Sequence, residues 1–147
     1  MTGIGRFFVW SQSKNCREQC KRFFVGEKKI TPDRLRAGLE SFFEHHRFLD
    51  VAYMDPRPHE AYYYNSGYFY MFGHYYAAKV IELLPEAERE GWHARLRPHL
   101  VKVMRQDGGS SDFLTSGYMM VAGTAFSALA LGMGLPPEAR EVENVKR

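Results

Sequence analysis

Residues 66–78, SGYFYMFGHYYAA, return fifty residues later as residues 116–128, SGYMMVAGTAFSA. The same register holds upstream for three further pairs: Arg47 with Arg97, Val51 with Val101, and Met54 with Met104. Self-similarity at a fixed period of this size is typical of repeat proteins, in which one supersecondary unit buries its apolar face against a copy of itself. The sequence therefore predicts two stacked copies of one unit.

Each unit has the pattern of a helical hairpin. The first helix starts at Thr31-Pro32-Asp33, where a Thr N-cap precedes Pro at the first helical position and an acid near the positive end of the helix dipole. Apolar-face residues then recur at spacings of four and three, which predicts one amphipathic helix to about Tyr53; they are Leu35, Leu39, Phe42, His46 and Leu49. Pro56 and Pro58 end this helix.

The other predicted helices follow from similar patterns. One runs from about Asn65 to Leu84, the next carries Trp92, Leu96, Leu100 and Val103 with a kink or a new start at Pro98, and the last runs from Phe113 to Leu131. A short helix is predicted over residues 13–25, and no segment has a strand pattern.

The predicted fold class is all-α, with two αα-hairpin repeats at residues 31–85 and 86–135. Residues 1–30 form a lead-in with the short helix, and residues 136–147 form a tail or the start of a third repeat.

Composition narrows the classes of function. The chain has 147 residues and a formal net charge of only +3, without the basic stripe that nucleic-acid binding requires. Cys16 and Cys20 lie four residues apart outside the repeats and lack the further ligands of a zinc site, so we expect no metal and no cofactor. The apolar run Phe7–Trp10 is too short for a secretory signal, which favours the cytoplasm.

A helical wheel separates small from aromatic positions on the second helix of each unit. Ser66, Gly73 and Ala77 form a narrow stripe. The opposite side carries Tyr64, Tyr68, Met71 and Tyr75 and continues into Lys79 and Glu82, which indicates a half-wet face. Such a face fills a helix interface or lines a ligand cavity. The residues that would line a cavity are Tyr64, Tyr68, His74, Tyr75 and Tyr118.

The turn before the last helix carries a resemblance to a known family. The run RQDGGSSDF at residues 105–113, followed by Tyr118 and by TAFSALAL at residues 124–131, resembles the repeat of squalene cyclases and prenyltransferases. The resemblance covers about residues 40–135. It implies αα-hairpins arranged as an α/α toroid, with the second helix of each pair on the inside.

The chain departs from that family at the positions that carry chemistry. Ser110 and Ser111 replace the tryptophan of the repeat turn, and the aspartates are scattered, so no clustered acid motif is present. Asp112 lies in the turn and is expected to be solvated. His45 and His46 are expected to have core or boundary roles, and His74 is expected to be a hydrogen-bonded structural histidine.

Three hypotheses for function follow. The leading one is a non-catalytic scaffold or binding module, or a fragment of a longer toroid protein, that self-associates through its open hairpin ends. The second is a terpenoid-cyclase-like or carbohydrate-active enzyme that binds a hydrophobic small molecule at the tyrosine face, with His74 and Asp107 as polar participants. The third is a small membrane-anchored protein with a span at residues 113–135, although the partner segment carries Lys79 and Glu82 and favours a buried inner helix instead.

Overall fold

The computed structural model describes residues 30–54, 69–115, 117, 119–136 and 139. This part of the chain contains five helices and no strand, which confirms the all-α prediction. The helices are α1 (Pro32–Glu44), α2 (His46–Met54), α3 (Tyr70–Ile81), α4 (Glu86–Lys102) and α5 (Met120–Met133). The helix predicted over residues 13–25 lies outside the described residues.

Helix α1 begins as predicted, but it ends earlier. The Thr31 hydroxyl accepts the Arg34 N–H at 3.4 Å, and Pro32 is the first helical residue. The predicted single helix to Tyr53 is wrong, because the chain leaves helical geometry at His45 and restarts at His46. Both helices bury the same side of the chain, so the apolar period runs through the break and does not reveal it.

The second helix of each unit is shorter than predicted. The expected starts at Asn65 and Phe113 are wrong, since α3 begins at Tyr70 and α5 at Met120. Before α5 the backbone bonds elsewhere: the Leu114 N–H donates to the Tyr53 carbonyl at 3.0 Å, at the end of α2. The two observed starts are again fifty residues apart.

Helix α4 spans residues 86–102 without a new start at Pro98. Proline removes one backbone donor from the helix, yet the helix continues for four residues beyond it. Those last residues include His99 and Lys102, so the continuation determines where both side chains lie.

Helix α3 is the centre of the described structure. It packs against α1, α4 and most extensively α5. Eight of its twelve residues are buried, including Met71, Gly73 and Ala78. Met71 belongs to the stripe that the sequence suggested to be half-wet, but it is fully buried, whereas Tyr75, Lys79 and Glu82 on that stripe are half-buried.

The turn before α5 packs into the core, which corrects the prediction for Asp112. Its side chain is buried rather than solvated, and its Oδ1 accepts the Met71 N–H at 2.9 Å. Phe69, at the N-cap of α3, makes no side-chain capping bond of its own, so the Asp112 carboxyl supplies the cap from the neighbouring unit. The turn thus fixes the start of α3.

Gly123 explains why the turn lies so close to α5. A Cβ at this position would lie 2.6 Å from the Ser110 carbonyl oxygen, a distance that no side chain tolerates. The Ser110 N–H also donates to the Thr124 hydroxyl at 2.9 Å. A glycine and a hydroxyl on adjacent residues of α5 therefore hold the turn against the helix.

The described residues contain no helix that combines the length and apolar character needed to cross a bilayer. The segment at residues 113–135, which the sequence suggested as a span, contains the 14-residue helix α5 preceded by irregular chain.

Candidate functional site: a histidine cluster between three helices

Three imidazoles meet where α2, α3 and α4 converge. The ring centroids of His46 and His74 are 4.9 Å apart, and those of His46 and His99 are 3.6 Å apart. His46 and His74 are buried in the core, and His99 is half-buried at its edge. Three histidines gathered at one place are uncommon in a protein interior, so the cluster is the leading candidate for a functional site.

Helical spacing places each side chain of this group. His46 and Asp50 lie one turn apart on α2, and Tyr70 and His74 lie one turn apart on α3. Residues four apart in a helix share a face, so each helix presents two polar side chains to the same point. The last turn of α4 adds His99 and Lys102.

A chain of hydrogen bonds orients the two buried rings. His74 Nδ1 lies 2.6 Å from the Tyr70 carbonyl oxygen, which only accepts, so this nitrogen carries a proton. His74 Nε2 lies 2.8 Å from His46 Nε2, and one of these two nitrogens must donate to the other. In a neutral His74 the second nitrogen is an acceptor, so the donor is His46 Nε2.

Burial keeps the rings neutral. It lowers the pKa of His74 well below the ordinary value of 6.5, and contact with the other imidazoles acts in the same direction. Burial likewise lowers the pKa of His46 to about 4, although Asp50 opposes this shift. The pKa of His99 is also lowered, chiefly by burial. With its Nε2 protonated, a neutral His46 has a bare lone pair on Nδ1.

That lone pair faces a carboxylate. His46 Nδ1 lies 3.4 Å from Asp50 Oδ2. A hydrogen bond between an imidazolium and a carboxylate would be shorter, at about 2.7–2.9 Å. The other oxygen of Asp50 accepts the Tyr70 hydroxyl at 3.3 Å, and Lys102 Nζ lies 3.4 Å from Oδ2.

The cluster opens to solvent on the side of α4. The side chain of Asp50 is 26% exposed and that of Lys102 is 59% exposed, whereas His46 is only 3% exposed. One ligating atom from each of His46, Asp50 and His99 lies within 4.8 Å of the other two. Two imidazoles and a carboxylate at this separation are a set of ligands suited to a divalent transition metal.

The residues predicted to line a cavity are only partly within the described structure. Tyr64, Tyr68 and Tyr118 lie outside it. Tyr75 is half-buried and packs against Phe126 with ring centroids 5.2 Å apart. His74 is fully buried and hydrogen-bonded, and the tyrosine-lined cavity stays a prediction.

Sequence reasoning missed the partners that make His46 and His74 a cluster. Asp107, the other polar residue suggested for chemistry, is exposed in the turn and its carboxylate accepts the Gly109 N–H at 2.9 Å. The spacing of four between His46 and Asp50 was a usable signal, because it places two metal-binding side chains on one face. His99 is 53 residues away from His46 in sequence and gave no such signal.

A second feature of the described residues is an exposed apolar stripe on α5. Val121 is 86% exposed and Leu129 is 54% exposed, and Ala125 and Ala128 between them are exposed too. Helix α5 contains no charged residue. We refer to these four residues as the α5 face.

A shallow cleft of about 10 Å³ lies between α4 and α5, next to the side of α5 that packs into the core. It is smaller than the roughly 300–1,000 Å³ of typical small-molecule sites. Its lining residues are His93, Leu96, Arg97, Leu100, Ala130, Leu131 and Gly134.

Comparison with protein-family models, with curated proteins and with solved structures gave no match for this chain.

Proposed function

We propose that the chain is a cytoplasmic assembly module made of two αα-hairpin repeats of the terpenoid cyclase–prenyltransferase type, and that it self-associates through the α5 face. The observation that carries the proposal is the exposure of this uncharged, apolar face on α5. An exposed apolar stripe of this kind favours a protein partner.

The repeat register indicates what kind of surface covers the α5 face. Fifty residues earlier, Val121, Ala125 and Ala128 correspond to Met71, Tyr75 and Ala78 on α3. Met71 and Ala78 are fully buried, and Tyr75 packs against Phe126 of α5. The positions that are buried or half-buried on α3 are therefore exposed on α5.

The packing of the described helices supports a repeat architecture. The second helices of the two units start fifty residues apart and form the most extensive helix contact. Asp112 in the second unit caps α3 in the first. In a repeat array each unit contacts its neighbour in this way, and the last unit presents an open end.

A second copy of the chain is the occupant that we propose for the α5 face. The face combines two alanines with two larger apolar residues, so that two such helices can approach closely around a twofold axis. With no charge on α5, pairing the face with itself brings no like charges together. Each copy would cover the exposed stripe of the other.

Sedimentation of the full chain tests this proposal. The wild type is expected to sediment as a dimer at micromolar concentration, and Val121→Glu as a monomer, because a dimer would bury the two introduced carboxylates. Val101→Glu is the matched control, since Val101 is a 54% exposed valine on α4, away from the α5 face. A monomeric wild type, or equal behaviour of the two variants, would refute the proposal.

A further inference from the structure

We propose that His46, Asp50 and His99 form a binding site for a divalent first-row transition metal, of which zinc is the representative ion. This site is independent of the assembly through α5, because the three residues lie on α2 and α4. It also departs from the expectation of the sequence, which predicted no metal for this chain.

Ligating atoms of His46, Asp50 and His99 converge on one point. The hydrogen-bond chain directs the lone pair of His46 Nδ1 towards the Asp50 carboxylate, and Nδ1 lies 3.4 Å from Oδ2. Lys102 is the cation beside this pair in the metal-free protein, and an ion bound there would contact both ligating atoms directly. His99 brings a third ligating atom to within 4.8 Å of both.

The distance between His46 Nδ1 and Asp50 Oδ2 fits two ligands of one zinc ion. Zinc bonds of about 2.0–2.1 Å place two ligand atoms of a tetrahedron about 3.3–3.4 Å apart. His46 Nδ1 and Asp50 Oδ2 are 3.4 Å apart. This pair already has the separation of two ligands on one ion, and a ligating atom of His99 lies within 4.8 Å of both.

Hydrogen bonds from α3 orient the two proposed ligands on α2. A histidine that binds a metal usually donates its other ring N–H to a neighbouring acceptor, which fixes its tautomer and orientation. His46 makes such a bond through Nε2 to His74, and His74 is fixed in turn by the Tyr70 carbonyl. The Tyr70 hydroxyl orients the Asp50 carboxylate. Both ligands on α2 thus have a positioning partner on α3.

Three protein ligands leave at least one coordination position open towards solvent. Zinc sites with three protein ligands and a water molecule are of the catalytic type, whereas structural sites use four protein ligands. Imidazole ligands also disfavour Mg²⁺ and Ca²⁺, which prefer oxygen. The ligand class is therefore a zinc-like ion with one exchangeable water.

Lys102 is the group that opposes a bound cation. Its ammonium lies 3.4 Å from Asp50 Oδ2 and balances the carboxylate in the metal-free protein. Because the lysine is largely exposed, it can move into water when an ion binds. Its removal should strengthen metal binding, which is the opposite of what loss of a ligand would do.

The test measures Co²⁺ and Zn²⁺ binding to the chelator-treated full chain by visible absorption and calorimetry. The wild type is expected to bind one ion with a tetrahedral Co²⁺ spectrum. Asp50→Asn and His99→Ala should each weaken binding by more than about 100-fold, since loss of even a positioning partner weakens metal sites by about 10–100-fold. Lys102→Met should tighten binding by roughly 3–10-fold.

Two control variants distinguish this site from other metal ligands in the chain. His45→Ala deletes a neighbouring, half-buried imidazole outside the cluster and should leave binding unchanged. The Cys16→Ser, Cys20→Ser variant removes the thiolates, which are the competing type of zinc ligand, and it should also bind normally because neither cysteine belongs to the proposed site.

Circular dichroism of each variant distinguishes loss of metal binding from loss of folding. Because His99 and Asp50 are only half-buried, the Asp50→Asn and His99→Ala variants should both fold. The proposal is overturned if the wild type binds no Co²⁺, or if Asp50→Asn and His99→Ala bind as well as the wild type. Loss of binding in the cysteine variant alone would overturn it equally.

Discussion

The two units of this protein fill equivalent positions with different chemistry. In the first unit these positions hold His46, Asp50 and His74, and fifty residues later they hold Leu96, Leu100 and Thr124. Leu96 and Leu100 are both buried, on the helix that corresponds to α2. Leucine fills these positions in the second unit, so helix packing alone does not require the polar side chains of the first.

The two units also differ in how their second helices are covered. Helix α3 contacts all four of the other described helices, whereas α5 leaves Val121 and Leu129 in solvent. Equivalent positions of the two sequence repeats are therefore buried or half-buried on α3 and exposed on α5.

The largest expected effect tests a feature that both units share, the glycine at position 73 or 123. Gly123→Val should lower the free energy of unfolding by about 3 kcal/mol, because its side chain would collide with the Ser110 backbone. Chemical denaturation measures this. Gly91→Ala on α4 is the control, since a Cβ there meets nothing within 4 Å, and it should stabilise by about 0.5–1 kcal/mol. Equal changes in the free energy of unfolding for Gly123→Val and Gly91→Ala would disprove the close contact between Gly123 and Ser110.

The next prediction tests the difference between the units. His46→Leu should cost about 1–3 kcal/mol, because it leaves the buried His74 Nε2 without its donor. The double variant His46→Leu, His74→Leu should lose less than the single one, because it removes both partners together. Denaturation of the metal-free proteins supplies the comparison. A double variant that loses the sum of the two single effects would show that the rings act independently.

The third and smallest effect concerns the cap that joins the units. Burial raises the pKa of Asp112 to about 7, and the bond from the Met71 N–H opposes this. Because the pKa of this carboxyl is higher in the folded protein than in the unfolded chain, its protonated form stabilises the fold. This stabilisation is complete below the unfolded pKa, near 4, and is lost as the pH rises through 7. Wild type should therefore lose about 1–2 kcal/mol relative to Asp112→Asn between pH 6 and pH 7.5.

The asparagine variant keeps an oxygen for the Met71 N–H, so the cap itself survives in the reference protein. Asp107→Asn, an exposed aspartate of the same turn, should leave the pH dependence unchanged. Parallel pH profiles for wild type and Asp112→Asn would contradict the assignment.

Local sequence signals predicted the fold class and the start of the first helix. The features that they did not predict depend on contacts between residues far apart in sequence. The Thr31 cap and the all-helical pattern could be predicted because they depend on residues that are close in sequence. The break at His45 could not be predicted, since the apolar period continues across it. Helix α5 starts at Met120 because the chain before it bonds to Tyr53 and packs against Gly123, and neither contact is visible in a local window.

The histidine cluster shows the same limit. The sequence predicts His46 and His74 separately as structural histidines, and both are buried and hydrogen-bonded. Their meeting with His99 depends on how α2, α3 and α4 pack, and on the continuation of α4 past Pro98. A pairwise pattern in sequence cannot show three helices that converge on one point.

The protonation state of the cluster tests the central claim most directly, namely that His46 presents a bare nitrogen to Asp50. Long-range ¹H–¹⁵N correlation spectra of the metal-free protein report the protonation of each imidazole nitrogen. The account predicts at neutral pH a neutral His74 protonated on Nδ1 and a neutral His46 protonated on Nε2, with zinc then shifting His46 Nδ1. A His46 ring protonated on both nitrogens, and unchanged by zinc, would contradict it.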